Sequence, residues 1–274
     1  MKNKILTTLV CLFFFGYVKA QEVLDTTILR CKYMHTHITN PIESTGVQDI
    51  MILEIGKNIC SFYGEANRLF DSTINAGTFD NMFASGNLNI SLLPEKNINL
   101  DIKLYFNYPA GKITVHDKVY LDRYEYTEDI EKIQWKLYPN EAREFLGYTC
   151  KKATCTFRGR DYEAWYAPDI PINKGPYKFS GLPGLILRVT DSQKQIQFDC
   201  SYVEKISVPM IKSKSKIDNE MKKVTRKDFF SIQKKHNENP LAAFSNQAEI
   251  TDENGNPLSL PSFMKLSYNP IELE

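Results

Sequence analysis

Apolar and polar residues alternate with a period of two along most of this chain, and that period predicts strands. Residues 27–38, TILRCKYMHTHI, read as a first strand, followed by DIMILEIG at 49–56 and ICSFYG at 59–64. Gly56-Lys57-Asn58 supplies the turn between the last two. NLDIKLYF at 99–106 sets Leu100, Ile102, Leu104 and Phe106 on one face and Asp101, Lys103 and Tyr105 on the other. KITVHDKVYLDRYEY continues the pattern, as does KIQWKLYP, with Ile133, Trp135 and Leu137 on one face. Residues 65–98 are rich in Asn, Ser and Gly and lose the period, reading as a short helix and then a long loop. The best helix falls within 218–239, capped by Thr225, with Asp228 at its third position and Asn239-Pro240 as its stop. The expected fold is mostly β (α+β): a single curved antiparallel sheet or open half-barrel, with one helix in the C-terminal region.

The pattern is densest between 145 and 203. FLGYTCKKATCTF reads as a strand, RGRD as a turn and YEAWYAPDIP as the return strand; Gly159 permits the positive φ such a turn requires. DIPINKGPYKF, at 169–179, must be an extended loop, because two prolines and Gly175 forbid a regular ladder. FSGLPGLILRV follows. Gly181 and Gly184 flank Pro183, so the chain can turn sharply and pack against a neighbour before Leu185, Ile186 and Leu187 enter the sheet. IQFDCSYVEKI then returns. The loop from Pro168 to Gly184 is expected to rim a ligand-binding concavity, with a pocket lined by Trp165, Tyr166, Phe179 and Leu182.

Composition adds a compartment. Lys2 and Lys4, then the apolar run from Ile5 to Tyr17 and Val18-Lys19-Ala20, read as a secretory signal cleaved near Ala20. The run is too short to span a bilayer comfortably. The mature chain, 21–274, is then expected as one domain in the periplasm, outside the cell or elsewhere in the cell envelope, with no transmembrane helix. Cleavage removes three of the 34 basic residues and none of the 33 acidic ones, which leaves a formal charge of −2. That balance gives no reason to expect nucleic-acid binding.

Export would place Cys31, Cys60, Cys150, Cys155 and Cys200 where disulfides form. Cys31–Cys60 and Cys155–Cys200 are the expected bridges, with Cys150–Cys200 as an alternative. His35 and His37 lie two apart on one strand face, and Met34 is adjacent. Such a pair can hold zinc or copper if His116 or His236 supplies a further ligand, or it can be two polar positions on a solvated face. Arg158 and Arg160, beside Trp165 and Tyr166, can fork onto an acidic ligand or onto a carboxylate of the protein itself. Glu128, Asp129 and Glu131 read as a solvated segment. No phosphate loop, serine elbow or zinc-protease motif is present, and no cofactor is implied.

The run LGYTCKKATCTFRGRDYEAWYAPDIPINKGPYKFSGLPGLILRVTD, with WKL before it, resembles the GLPGLI family of exported Bacteroidetes-type proteins of unknown function. The resemblance is dense from about Ile133 to Asp191 and carries no catalytic residue with it. It implies an envelope location and a mostly β fold. The resulting expectation is a non-catalytic binding or accessory protein for a hydrophobic small molecule, a peptide or an envelope partner. A structural partner of an outer-membrane complex, and a metal protein or enzyme using His35 and His37, are the alternatives.

Overall fold

A computed structural model describes residues 22–69, 101–212, 221–238 and 268–273. The signal segment, most of the irregular stretch after residue 65 and the turn-rich tail from 252 to 263 lie outside them.

The strands are β1 (Val23–Asn40), β2 (Thr45–Ile55), β3 (Cys60–Gly64), β4 (Lys103–Phe106), β5 (Lys112–Val119), β6 (Asp122–Asp129), β7 (Lys136–Phe145), β8 (Tyr148–Phe157), β9 (Arg160–Ala167), β10 (Leu185–Asp191), β11 (Ile196–Ile211) and β12 (Lys222–Lys223). They form one open sheet in the order β12-β6-β5-β4-β3-β2-β1-β11-β10-β9-β8-β7. Every pairing is antiparallel except β12 with β6. The long strands β1 and β11 form the spine. On β1, Thr27, Leu29, Cys31, Tyr33 and His35 are buried, while the residues between them are partly or fully exposed. This is the period-two signature of a strand with one inward face.

The sheet is strongly curled. In a flat sheet the eight steps from β6 to β9 would span about 38 Å at roughly 4.8 Å per strand. Yet Arg158, in the turn before β9, lies 3.6 Å from Glu128 near the end of β6. The two flanks therefore fold toward each other over a shared interior. Tyr33, Phe62, Phe198 and Phe179 fill that interior and are almost fully buried.

The β8–β9 turn has positive φ at both Arg158 (49°) and Gly159 (78°), as a two-residue hairpin matched to strand twist requires. The predicted helix forms over Arg226–Glu238. Thr225 Oγ1 accepts from the Asp228 amide at 3.1 Å and donates to the Asp228 carboxylate at 2.7 Å. Phe229 packs against Tyr124 and Tyr126, which seats the helix on the β5–β6 flank. Among the described residues no helix is long and apolar enough to cross a membrane.

The corner at 181–187 is a close approach. A side chain added at Gly184 would meet the Ala167 carbonyl oxygen at 2.3 Å, and one at Gly175 would meet Ile186 at 2.7 Å. The loop that precedes the corner is tied by its own backbone bonds, among them Gly181 N to Asn173 O, Leu185 N to Ile170 O and Ile186 N to Lys174 O.

Candidate functional site

The loop 168–184 presents two sides. Its tip turns inward, and Tyr177, Lys178 and Phe179 are buried. Its outer arms face solvent and wall an open groove of about 500 Å³. Pro171, Ile172, Leu182 and Pro183 form one wall; Ile28, Ile55 and Cys60 form the other, and Lys57 and Lys174 stand with them. Ile28 points outward from β1 and is 40% exposed. A second depression, of about 490 Å³, lies on the outer face of β8 and β9, with Thr154, Thr156, Asp161 and Glu163 among its walls.

Of the four residues expected to line a pocket, three take other places. Trp165 is buried, donates to Glu163 at 2.8 Å and is covered by the Arg143 guanidinium. Phe179 packs into an aromatic cluster with Tyr162, Phe157 and Trp135. Tyr166 is buried, and Leu182 alone of the four lines the groove. The space that they were expected to frame is a filled core.

Arg160 and Arg158 grip the protein's own carboxylates and its C-terminal segment. Arg160 donates to Asp191 and Gln195 at 3.3 Å, to Asn269 Oδ1 at 2.5 Å and to the Pro270 carbonyl at 2.7 Å. Arg158 faces Glu131 at 3.0 Å and Glu128 at 3.6 Å. Residues 268–273 thus cross the interior, with Ile271 under Tyr162 and the Leu273 amide donating to the Arg158 carbonyl.

An ion cluster that sequence reasoning missed lies beneath that segment. Lys178 Nζ is 2.5 Å from carboxylate oxygens of both Glu128 and Glu272. Arg226, from the helix, reaches Glu272 at 2.5 Å and Glu128 at 3.2 Å. The Tyr177 hydroxyl donates to Glu272. Burial pushes the Glu272 carboxyl up, but the Lys178 charge and the bonds from Lys178, Tyr177 and Arg226 outweigh it and hold the group down at about 2. Glu128 is buried, which corrects its reading as part of a solvated segment. Its side chain faces inward because β6 alternates and the curl brings that face over the interior. A cavity of about 160 Å³ adjoins the cluster and is lined by His37, Asp117, Tyr126 and Tyr177 among others. Withdrawal from water, reinforced by the charge of Asp101, pushes Asp117 up to about 7.

His35 and His37 lie on the inward face, not on a solvated one. Their ring centres are 5.7 Å apart. His35 stacks on Phe198 at 4.5 Å, and neither ring nitrogen has a hydrogen-bond partner; burial holds its pKa down at about 3. His37 donates to the Asn269 carbonyl at 2.6 Å. The suggested further ligands are elsewhere: His116 contacts Glu125 and His236 stacks on Tyr120. Among the described residues no group of three or more His, Cys, Asp or Glu side chains could hold a metal ion.

The five described cysteines are free. Cys31 and Cys60 are not on neighbouring strands, because β2 lies between β1 and β3. Cys155 on β8 is separated from Cys200 on β11 by β9 and β10. Either expected bridge would have to reach across one or two intervening strands, whereas β11 pairs with β1 along most of its length and sets Cys200 near Cys31.

Residues 158–188 match a family model described as a protein of unknown function (Porph_ging). No curated protein matches the chain. Among solved structures, PNGF-II in space group P21 is similar at 13% identity and a TM-score of 0.50, covering 76% of this chain and 33% of that one. PNGF-II in space group C2 gives 14% identity and a TM-score of 0.49 over the same shares. The chain therefore spans about a third of the length of PNGF-II, and at such identity the likeness concerns the fold alone.

Proposed function

We propose that this is a non-catalytic binding protein of the cell envelope whose groove at the 168–184 loop receives an apolar segment of a partner protein. The observation that carries the reading is the groove itself. It is open, its walls are Ile28, Ile172, Leu182 and two prolines, and Lys57 and Lys174 add positive charge. More than half of its lining residues fall within the stretch matched by the unknown-function family. The interior offers less: the cavity beside the ion cluster holds about 160 Å³, below the usual 300–1,000 Å³ of small-molecule sites. Apolar walls with two lysines suit an apolar stretch flanked by carboxylates.

A photo-crosslinking residue at Asn173, exposed beside the groove, tests this in the exported full chain, with the same residue at exposed Tyr202 as control. A discrete protein adduct from position 173 and none from 202 is the expected result. Equal labelling from both positions, or none from 173, overturns the proposal. A native mass spectrum carrying an organic mass that leaves on unfolding would replace the protein partner with a small molecule.

A further inference from the structure

We propose that Cys31 and Cys200 form a redox-active dithiol, a pair that closes to a disulfide by exchange with an organic disulfide. Strand register brings them together. On the inward face of β1, Cys31 opposes Val203 and Tyr33 opposes Cys200. Cys31 and Cys200 are therefore diagonal neighbours on one face. A register shift between Lys32 and Tyr33 takes Ser201 out of the pairing and shortens that diagonal. Both thiols are free. Each thiol acts electrostatically on the other, and both act on Tyr33. Closure to the roughly 2.05 Å of a disulfide then joins two side chains that share one face of neighbouring strands.

The two thiols differ in access, which assigns their roles. Cys31 is fully buried, whereas Cys200 is partly exposed. The pairing of β10 with β11 runs only from Gln197 to Asp199, so β11 has no β10 partner at Cys200. Cys200 is the thiol that an external disulfide meets first. Its thiolate attacks one sulfur of the external disulfide, that S–S bond breaks, and the first organic thiolate leaves and takes up a proton. Cys31 then loses its proton and attacks the Cys200 sulfur, expelling the second organic thiolate. The two cysteines lose two electrons and two protons in total, and the external disulfide becomes two thiols. The bond formed lies beside Tyr33, whose hydroxyl donates at 2.8 Å to the Ile186 carbonyl in the strand after the glycine corner. Closure would stiffen the link between β1 and the base of that corner.

The full chain, folded and reduced, is equilibrated with glutathione disulfide, alkylated after denaturation and digested. The expected result is loss of two alkylatable thiols and one linked pair of peptides carrying Cys31 and Cys200. Cys200→Ser, at a partly exposed site, is expected to leave Cys31 fully alkylatable. Cys31→Ala, checked for folding by circular dichroism, is expected to trap glutathione at Cys200. The proposal is overturned if Cys31 and Cys200 both stay alkylatable, if Cys200 links to Cys150 or Cys155, or if wild type retains glutathione on Cys200.

Discussion

Lys178 and Glu272 stand 94 positions apart in sequence and 2.5 Å apart in space, both buried. Lys178 arrives on the tip of the 168–184 loop, Glu272 on the C-terminal segment, and Glu128 meets them from β6. The cluster is the point at which loop, tail, helix and the far flank of the sheet are joined. Removing one member leaves buried charge uncompensated, which costs about 3–5 kcal/mol. Lys178→Met and Glu272→Gln are each expected to lower stability by about that amount in urea unfolding. The double variant should lose less than the sum of the two, because each single change strands the other partner. Additive losses would mean that the pair contributes little as a pair.

Acid titration should reveal three groups that lower stability as pH falls and one that opposes them. His35 is held down at about 3 against an ordinary 6.5, so the unfolded chain binds its proton first and stability falls as pH drops from 6.5 toward 3. His37, also held down by burial, acts in the same direction. Glu272, at about 2 against 4.5, adds a loss as pH drops below 4.5. Asp117 opposes them: raised to about 7 from 3.8, it gives stability below 3.8 that is lost as pH rises through 7. Between 6.5 and 4.5 the Asp117 and His35 contributions cancel. Asp117→Asn should therefore steepen the acid decline in that window by about 1.4 kcal/mol per pH unit. Urea midpoints at several pH values check this, and an unchanged slope would remove Asp117 from the balance.

Much of the fold was legible, for a local reason. Strand β1 alternates buried and exposed residues from Thr27 to His35, and alternation needs only neighbouring residues to be read. Thr225 and Asp228 marked the helix start for the same reason. Long-range facts were not legible. Lys178 sits in a proline-bounded loop that reads as surface, and Glu128 sits in an acidic run; only the curl of the sheet and the return of residues 268–273 bury them. The inward orientation of His35 and His37 and the meeting of Cys31 with Cys200 follow from β1 pairing with β11, which no local period encodes.

Gly147 and Gly184 both have positive φ and differ in the space around them. Gly147 has φ of 77° with open space around it, so Gly147→Ala should cost about 1–2 kcal/mol from backbone strain alone. Gly184→Ala places a methyl group 2.3 Å from a backbone oxygen that cannot swing away, and the corner must shift. Its loss of stability should exceed that of Gly147→Ala by about 1–3 kcal/mol. Thermal unfolding of the two variants side by side makes the comparison; equal losses would show that the corner yields.

Arg160 should govern the C-terminal segment specifically. Its guanidinium donates to Asn269 and to the Pro270 carbonyl, and Asn269 in turn bonds the Ile38 carbonyl and accepts from His37. Arg160→Gln shortens the side chain and removes the fork, while Asp191 keeps its bonds from the Gln195 and Ile196 amides. The β10–β11 turn should therefore hold while residues 268–273 loosen. Hydrogen exchange at the Leu273 amide, bonded at 2.9 Å to the Arg158 carbonyl, is expected to quicken by at least an order of magnitude, whereas the Ile196 amide keeps its protection. Acceleration at both amides would show that Arg160 supports the whole flank. Acceleration at neither would show that the Glu272 cluster alone holds the segment in place.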